Sequence, residues 1–128
     1  PRPGGPNSLA PHKRPLNNTA PMIVRLPDRD IGIGLPGGRR IIAVSAQMAQ
    51  RLIDFGASPL QAAEAMRLHV VVEEPVEVHP DMDATLVRGL EEMGHRLLYN
   101  DRIGGMAHIA EWDGAKTRGG GGGWAAGL

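Results

Sequence analysis

The chain has 128 residues, enough for one domain or for part of a larger one; 41% are hydrophobic but only 3% aromatic, so any core must be aliphatic. Lys plus Arg and Asp plus Glu balance at 14 each, which argues against a nucleic-acid or membrane-surface role driven by bulk charge. There is no cysteine, which excludes a disulfide framework, a thiol nucleophile and a cysteine metal site, and no apolar run approaches the ~20 residues of a membrane span. The sequence opens at Pro1 in a proline-rich stretch, with neither an initiator Met nor a signal peptide, and reads as a fragment from a longer protein.

Residues 1–13 (PRPGGPNSLAPHK) carry no apolar period and read as a surface loop or linker. A polar turn follows at Asn17-Asn18-Thr19. Met22 to Leu26 is a short strand, Pro27 to Asp30 a turn, and Ile31 to Leu35 a second strand, so the pair is expected to form a hairpin. The turn at Pro36-Gly37-Gly38 opens a helix over about Arg39 to Phe55, with Ile41, Val44, Met48, Leu52 and Phe55 on one face. Gly56 stops it. Ser58-Pro59-Leu60-Gln61 carries the signature of a capping box with Pro at the first helical position, and this second helix is expected to end near Arg67.

Leu68 to Val72 and Val76 to Val78 read as strands. A third helix spans about Met82 to Met93, with Leu86, Val87, Leu90 and Met93 on one face and Gly94 as its stop. His95 to Tyr99 and Met106 to Trp112 are further strands. The segment from Gly114, with its glycine run at 119–123, reads as disordered or poorly anchored. The chain thus divides into a loop (1–13), a central unit (14–113) and a Gly-rich tail (114–128). The order ββααββαββ is that of a layered α/β arrangement.

The glycine turn carries the strongest chemical signal. Pro36 fixes one backbone angle, and Gly37 and Gly38 lack Cβ atoms, so their amides can approach a bound atom closely. A helix starting just after them directs its unsatisfied N–H groups to the same place. The hairpin returns Asn17 and Asn18 to the same sheet edge, so the asparagine amides and the glycine N–H groups can line one site suited to an anion. A polar turn beside a purely structural glycine turn is the alternative.

Other motifs lack context. Gly32-x-Gly34-x-x-Gly37 matches a dinucleotide fingerprint, but helix follows helix here and Asp54 lies inside the first one, so the βαβ unit is missing. Gly32 and Gly34 then read as strand glycines required by close packing. His69, His79, His95 and His108 show no zinc-pair spacing. The carboxylates Glu73, Glu74, Asp81 and Asp83 flank prolines and read as turn and cap residues. Asn17-Asn18-Thr19 is also an N-glycosylation sequon. Ser45 and Ser58 have no visible base.

Together, these residues resemble a known family. Lys13-Arg14-Pro15-Leu16-Asn17-Asn18-Thr19-Ala20-Pro21-Met22-Ile23-Val24 is similar to the gamma-glutamyltransferase small-subunit segment K-R-P-L-S-S-M-x-P-T-I-V. Leu35-Pro36-Gly37-Gly38-Arg39-Arg40-Ile41-Ile42 resembles its S-P-G-G-x-x-I-I. Asp54-Phe55-Gly56, Glu64-Ala65-Met66-Arg67-Leu68-His69, Leu90-Glu91-Glu92-Met93-Gly94-His95 and Gly114-Ala115 follow in the family's order, so the resemblance runs from about Asn7 to Arg118.

The resemblance implies an α/β (α+β) fold, the N-terminal-nucleophile hydrolase αββα sandwich, of which this chain is a C-terminal portion. It implies a precursor that cleaves itself to expose a threonine nucleophile, which attacks a gamma-glutamyl amide such as glutathione; the acyl group then passes to water or an amino acid. Gly37 and Gly38 match the oxyanion-hole glycines. Asn17 and Asn18 match two serines that hold the substrate carboxylate. No cofactor and no metal are implied. The implied partners are a small-molecule gamma-glutamyl or related amide and the remainder of the precursor: the large subunit and the N-terminal part of the small subunit, which would carry the nucleophile. No targeting signal is visible, although members of the family are often periplasmic, secreted or cell-surface proteins. Asparagine at both serine positions leaves room for an acylase of different specificity, or for a non-catalytic binding remnant. Lys116-Thr117-Arg118 replaces the family's Asp-Pro-Arg.

Overall fold

The computed structural model describes residues 3–70 and 73–122. Strands β1 (Met22–Arg25) and β2 (Asp30–Gly34) form the expected antiparallel hairpin, with Met22 opposite Ile33 and Arg25 opposite Asp30. The Leu26 N–H closes the connecting turn on the Arg29 carbonyl at 2.8 Å. A 3-10 turn at Gly38–Arg40 leads into α1 (Ile41–Ile53), and α2 (Pro59–Glu64) follows. The chain continues through β3 (Leu68–His69), β4 (Val76–Val78), α3 (Ala84–Glu92), β5 (Leu97–Tyr99), β6 (Ala107–Trp112) and β7 (Thr117–Gly122).

Two sheets result. One has four strands in the order β1-β2-β6-β7, every pair antiparallel. The other has three in the order β3-β4-β5, with β4 and β5 parallel. The core lies between the four-stranded sheet and α1 and α2. Ile31 and Ile33 of β2 and Ala107 and Ile109 of β6 meet Val44, Met48 and Leu52 of α1 and Ala62 and Ala63 of α2. The cluster is aliphatic, as the aromatic-poor composition requires. β6 alternates buried and exposed residues along its whole length, the period of a strand with one covered face. Among the described residues, no helix is long and apolar enough to cross a membrane.

Several element boundaries differ from the sequence expectation, among them β5, which begins at Leu97 and not at His95. α1 ends at Ile53, and Phe55 is 73% exposed, off the core face. Its side chain falls beyond the last helical turn, where the chain folds back and the Ala57 N–H reaches the Arg51 carbonyl. α2 has its full capping box, Ser58 with Gln61, but stops at Glu64 because Ala65 turns extended. β3 covers only Leu68–His69 of the predicted strand, and Val71 and Val72 lie outside the described residues. α3 keeps its amphipathic pattern, capped by Asp83 Oδ1 accepting from the Thr85 and Leu86 N–H groups, yet it buries no residue.

The expectation of a poorly anchored end after Gly114 is corrected for residues 117–122, which form β7 against β6. Residues 123–128 lie outside the described residues. The glycines have a packing cause. α2 lies directly on β7, and a Cβ on Gly120 would overlap the Leu60 N and Pro59 C atoms of the helix backbone. Glycine there lets helix and strand backbones touch, so low side-chain volume serves as an interface and not as a mark of disorder. Gly120→Ala should therefore destabilise the protein by about 1–3 kcal/mol, the usual cost of overpacking. Gly119→Ala, whose Cβ would meet nothing closer than the Ile109 carbonyl at 3.7 Å, should cost much less. Thermal unfolding of both variants checks this, and equal melting temperatures would contradict it.

Candidate functional site

The antiparallel pairing of Met22 with Ile33 brings the residues just before β1 and just after β2 out at one end of the hairpin. There, Asn17, Asn18, Thr19 and Ala20 face Gly38, Arg39 and Ile42 across an open cleft of about 450 Å³. Gly37 is one residue away but does not line the cleft. It packs inward, where an added Cβ would lie 3.3 Å from the Gly104 Cα.

The turn has a distinct hydrogen-bonding polarity. The Pro36 carbonyl accepts from the Gly105 N–H at 2.7 Å, the Gly37 carbonyl from the Arg40 N–H at 3.1 Å, and the Gly38 carbonyl from the Ile41 N–H. Among the described residues, the Gly37 and Gly38 N–H groups donate to nothing. All three carbonyls are thus occupied while both glycine donors stay free. Gly38 has φ 58°, in the left-handed region that glycine enters without steric cost. Asn17 behaves similarly. Its Oδ1 accepts from the Thr19 N–H at 2.8 Å and from the Thr19 hydroxyl at 2.5 Å, which leaves its Nδ2 as the free end. No acidic residue lines the cleft among the described residues. The lining therefore offers donors and positive charge, which suits an acceptor-rich or anionic ligand.

Two sets of contacts hold the turn in place. On one side it is fixed by loop 103–105: Gly105 sits so close to Pro36 that a Cβ on it would fall 2.5 Å from the Pro36 Cγ and 2.6 Å from its carbonyl oxygen. Arg67 secures that loop, donating to the Gly105 carbonyl at 2.9 Å, the Ile103 carbonyl at 3.4 Å and the Ala63 carbonyl at 2.6 Å. On the other side, Arg40 forms a forked contact with Glu77 of β4, at 2.8 to 2.9 Å. Asn100 Nδ2 donates to the same carboxylate at 3.1 Å. Burial alone pushes Glu77 up, but the hydrogen bonds from Arg40 and Asn100, with the charges of Arg40 and His69, outweigh it and hold the carboxyl below its usual range. His69, opposite Glu77 in the β3–β4 register, is buried, and burial pulls it below its ordinary value.

The anchors Arg67, Glu77 and Asn100 were not singled out as functional from the sequence. The available signals were Arg67's place in the family-like segment Glu64–His69, and Val76-Glu77-Val78, an acid flanked by valines that are both buried. Gly32 and Gly34 lie inside β2, away from any turn, so the dinucleotide pattern has no structural counterpart. The close packing expected of them is absent: a Cβ on Gly32 would first meet the Ala110 carbonyl at 4.0 Å, and one on Gly34 nothing within 4 Å. The other histidines are dispersed, with His95 Nδ1 2.6 Å from Glu74 Oε1, remote in sequence from the cleft residues.

Comparison with known proteins matches this architecture to one group. The family model described as Gamma-glutamyltranspeptidase matches residues 2–127. A glutathione hydrolase proenzyme of Escherichia coli (strain K12) is 30% identical over 108 residues, covering 83% of this chain and 19% of that protein. An acylase proenzyme, ACY 1, of Pseudomonas sp. (strain SE83) is 35% identical over 113 residues, covering 86% and 20%. Among solved structures, gamma-glutamyltranspeptidase from Pseudomonas nitroreducens complexed with L-DON superposes with a TM-score of 0.80 at 22% identity, covering 98% of this chain and 68% of that one. The fold is accordingly the N-terminal-nucleophile hydrolase fold, of which this chain forms a portion. The chain belongs to the gamma-glutamyltranspeptidase family, and it spans about a fifth of the length of the curated relatives it matches.

The Glu77 anchor yields a pH prediction. A carboxyl whose folded value is depressed adds stability above its unfolded value, near 4.5, and loses it as pH falls through the folded value. Glu77→Gln should cost about 1–3 kcal/mol at neutral pH by leaving Arg40 uncompensated, and should flatten the acid limb of the stability profile. Chemical denaturation from pH 7 to pH 3 reads both effects; an acid limb as steep as that of the unaltered protein would refute the assignment.

Proposed function

We propose that this chain is the part of a gamma-glutamyltransferase-like amidohydrolase that supplies the oxyanion hole and the substrate-carboxylate site. The supporting observation is the polarity of the cleft, in which the Gly38 N–H and the Asn17 amide are free while their own acceptors are occupied; the Gly37 N–H, next to the cleft, is free as well. In this reading, a threonine from the remainder of the precursor attacks the carbonyl carbon of a gamma-glutamyl amide. The C=O π pair moves onto oxygen, and the Gly37 and Gly38 N–H groups receive that oxyanion. The threonine's amine takes the hydroxyl proton and passes it to the departing amine. Water or an amino acid then attacks the acyl-threonine ester and frees the enzyme. Asn17 and Asn18 donate to the α-carboxylate. Backbone N–H groups already aimed at the oxyanion need no reorganisation at the moment of reaction, and one such donor is typically worth ~10²–10³ in rate.

The partner in this reading is the rest of the same precursor. Leu16, Ile23 and Ile42 in and around the hairpin, Leu86 on α3 and Met93 just past its end are exposed apolar side chains of the kind that another protein segment covers. A second reading, an acylase acting on a non-glutamyl amide, is favoured by the 35% identity to an acylase proenzyme and by asparagine at both positions where the family motif has serine.

The isolated 128 residues should not turn over a gamma-glutamyl anilide, and activity should appear when they are produced with the upstream remainder. Turnover by the isolated chain would refute the division of labour. In the processed protein, Asn17→Ser combined with Asn18→Ser should shift preference toward gamma-glutamyl over other acyl anilides if the acylase reading holds, and should leave the ratio unchanged if it does not. Gly105→Ala should displace Pro36 and the turn with it, lowering kcat by about tenfold or more with a smaller change in KM. An unchanged kcat would separate the turn from catalysis.

A further inference from the structure

His69 is 2% exposed, and neither of its ring nitrogens hydrogen-bonds another group of the chain among the described residues. A buried imidazole without partners is tolerable only while it is neutral. Its strand is clipped in place by Gln47 of α1, whose Nε2 donates to the Leu68 carbonyl at 2.8 Å and whose Oε1 accepts from the Leu68 N–H at 3.1 Å. The charges that act on the ring come from β4 and from the start of α1. Glu77 lies directly opposite in the β3–β4 register, on the same face of the ladder, and Arg40 reaches in from the helix N-terminus. Burial and the Arg40 charge hold the imidazole below its ordinary value, while Glu77 opposes them.

With His69 neutral, Arg40 and Glu77 form a balanced pair, one cation on one carboxylate. A proton on His69 upsets that balance, because one carboxylate then faces two cations that repel each other. Arg40 is the cation able to leave: its side chain is 32% exposed and can be rehydrated, whereas His69 is enclosed. Arg40 also closes the glycine turn. Its own N–H donates to the Gly37 carbonyl at 3.1 Å, and the following N–H, of Ile41, donates to the Gly38 carbonyl.

We propose, resting on the acyl-transfer reading above, that His69 is a positioning residue with an acid-sensitive setting. Neutral, it leaves Glu77 to Arg40 and the glycine turn is held. On taking a proton from solvent it becomes the cation that Glu77 faces, Arg40 is released, and the Gly37 and Gly38 N–H groups lose their fixed place. The fold pays nothing for His69 above the ordinary histidine value near 6.5 and progressively more as pH falls toward the folded value, while Glu77, held below 4.5, stays ionised.

The test uses the processed full-length protein, unaltered and with His69→Gln or Glu77→Gln. Hydrogen exchange of residues 37–42, corrected for its intrinsic pH dependence, reads the turn directly. In the unaltered protein, protection should fall about tenfold from pH 7 to pH 4.5, the low end for a hydrogen bond to a charged group. H69Q cannot take the proton and should hold its protection constant over that range. E77Q, with the anchor already lost, should show low protection that is equally independent of pH. No fall in the unaltered protein, or a fall in either variant as large as in the unaltered protein, would overturn the proposal. A purely structural role for His69 would lower protection in H69Q equally at every pH. Should H69Q fail to fold, the E77Q profile decides. Hydrolysis of gamma-glutamyl p-nitroanilide supplies the catalytic arm. The drop in kcat from pH 7 to pH 4.5 should be about tenfold smaller in H69Q than in the unaltered protein, since titration of the nucleophile's amine is common to both. Equal drops would overturn the proposal. An unaltered protein inactive on gamma-glutamyl and other acyl anilides would overturn the acyl-transfer reading, and the exchange profiles would still decide the setting of His69.

Discussion

The hydrogen bond from the Gly105 N–H to the Pro36 carbonyl fixes where the glycine turn sits, and the site depends on it. At this point two backbones meet with no side chain between them. Gly105 lies against the Pro36 ring and carbonyl, where space requires glycine, and Gly37 approaches Gly104 so closely that a Cβ would lie 3.3 Å from its Cα. The contact joins the loop leading into β6 to the turn leaving β2, strands already paired in the four-stranded sheet. Arg67 reinforces it with a half-buried guanidinium that reaches three backbone carbonyls. Burial lowers the Arg67 pKa from its usual value, with the nearby Arg51 charge acting in the same direction, but a guanidinium starts so high that it keeps its proton and its donors. A charged donor held in a partly buried loop makes stronger hydrogen bonds than it would in water.

This clamp links the core to the cleft. α1 begins where the turn ends, and its register is set by Ile41, Val44, Met48 and Leu52 facing inward. Arg40 is then directed to β4, where the second sheet supplies Glu77, and Asn100 just past β5 completes the carboxylate's coordination. Core packing, the loop clamp and the ion pair each restrain the turn from a different direction. Several independent restraints of this kind can keep the Gly37 and Gly38 N–H groups unpaired. Without them, a flexible glycine pair would turn its donors to the nearest carbonyl.

Much of this was legible in the sequence where local chemistry determines structure. The hairpin follows from two short apolar runs around Pro27 and Asp28, and the capping box from Ser58 and Gln61. The placement of Asn17 and Asn18 with Gly38 followed from hairpin geometry alone. What was not legible depends on contacts distant in the chain. Phe55 fits the helical period but lies past the point where the chain folds back. The glycines of β7 carry no strand propensity, and at Gly120 only the proximity of α2 explains the choice. Glu77 looks like an ordinary surface charge, and the segment containing Arg67 shows nothing of that residue's structural role, until their partners, more than thirty residues away, are known.

The serine-to-asparagine change then has a physical consequence beyond a list of differences. A serine hydroxyl rotates and can donate or accept, so its role is settled only when ligand binds. Asn17 has no such freedom, since its oxygen is committed to Thr19 and its amide must present donors. Fixing that orientation in the free protein removes a conformational cost from binding. It also penalises a ligand that offers a donor there, because two donors facing each other leave both unsatisfied. A donor fixed in this way disfavours a ligand group that also donates and favours one that accepts.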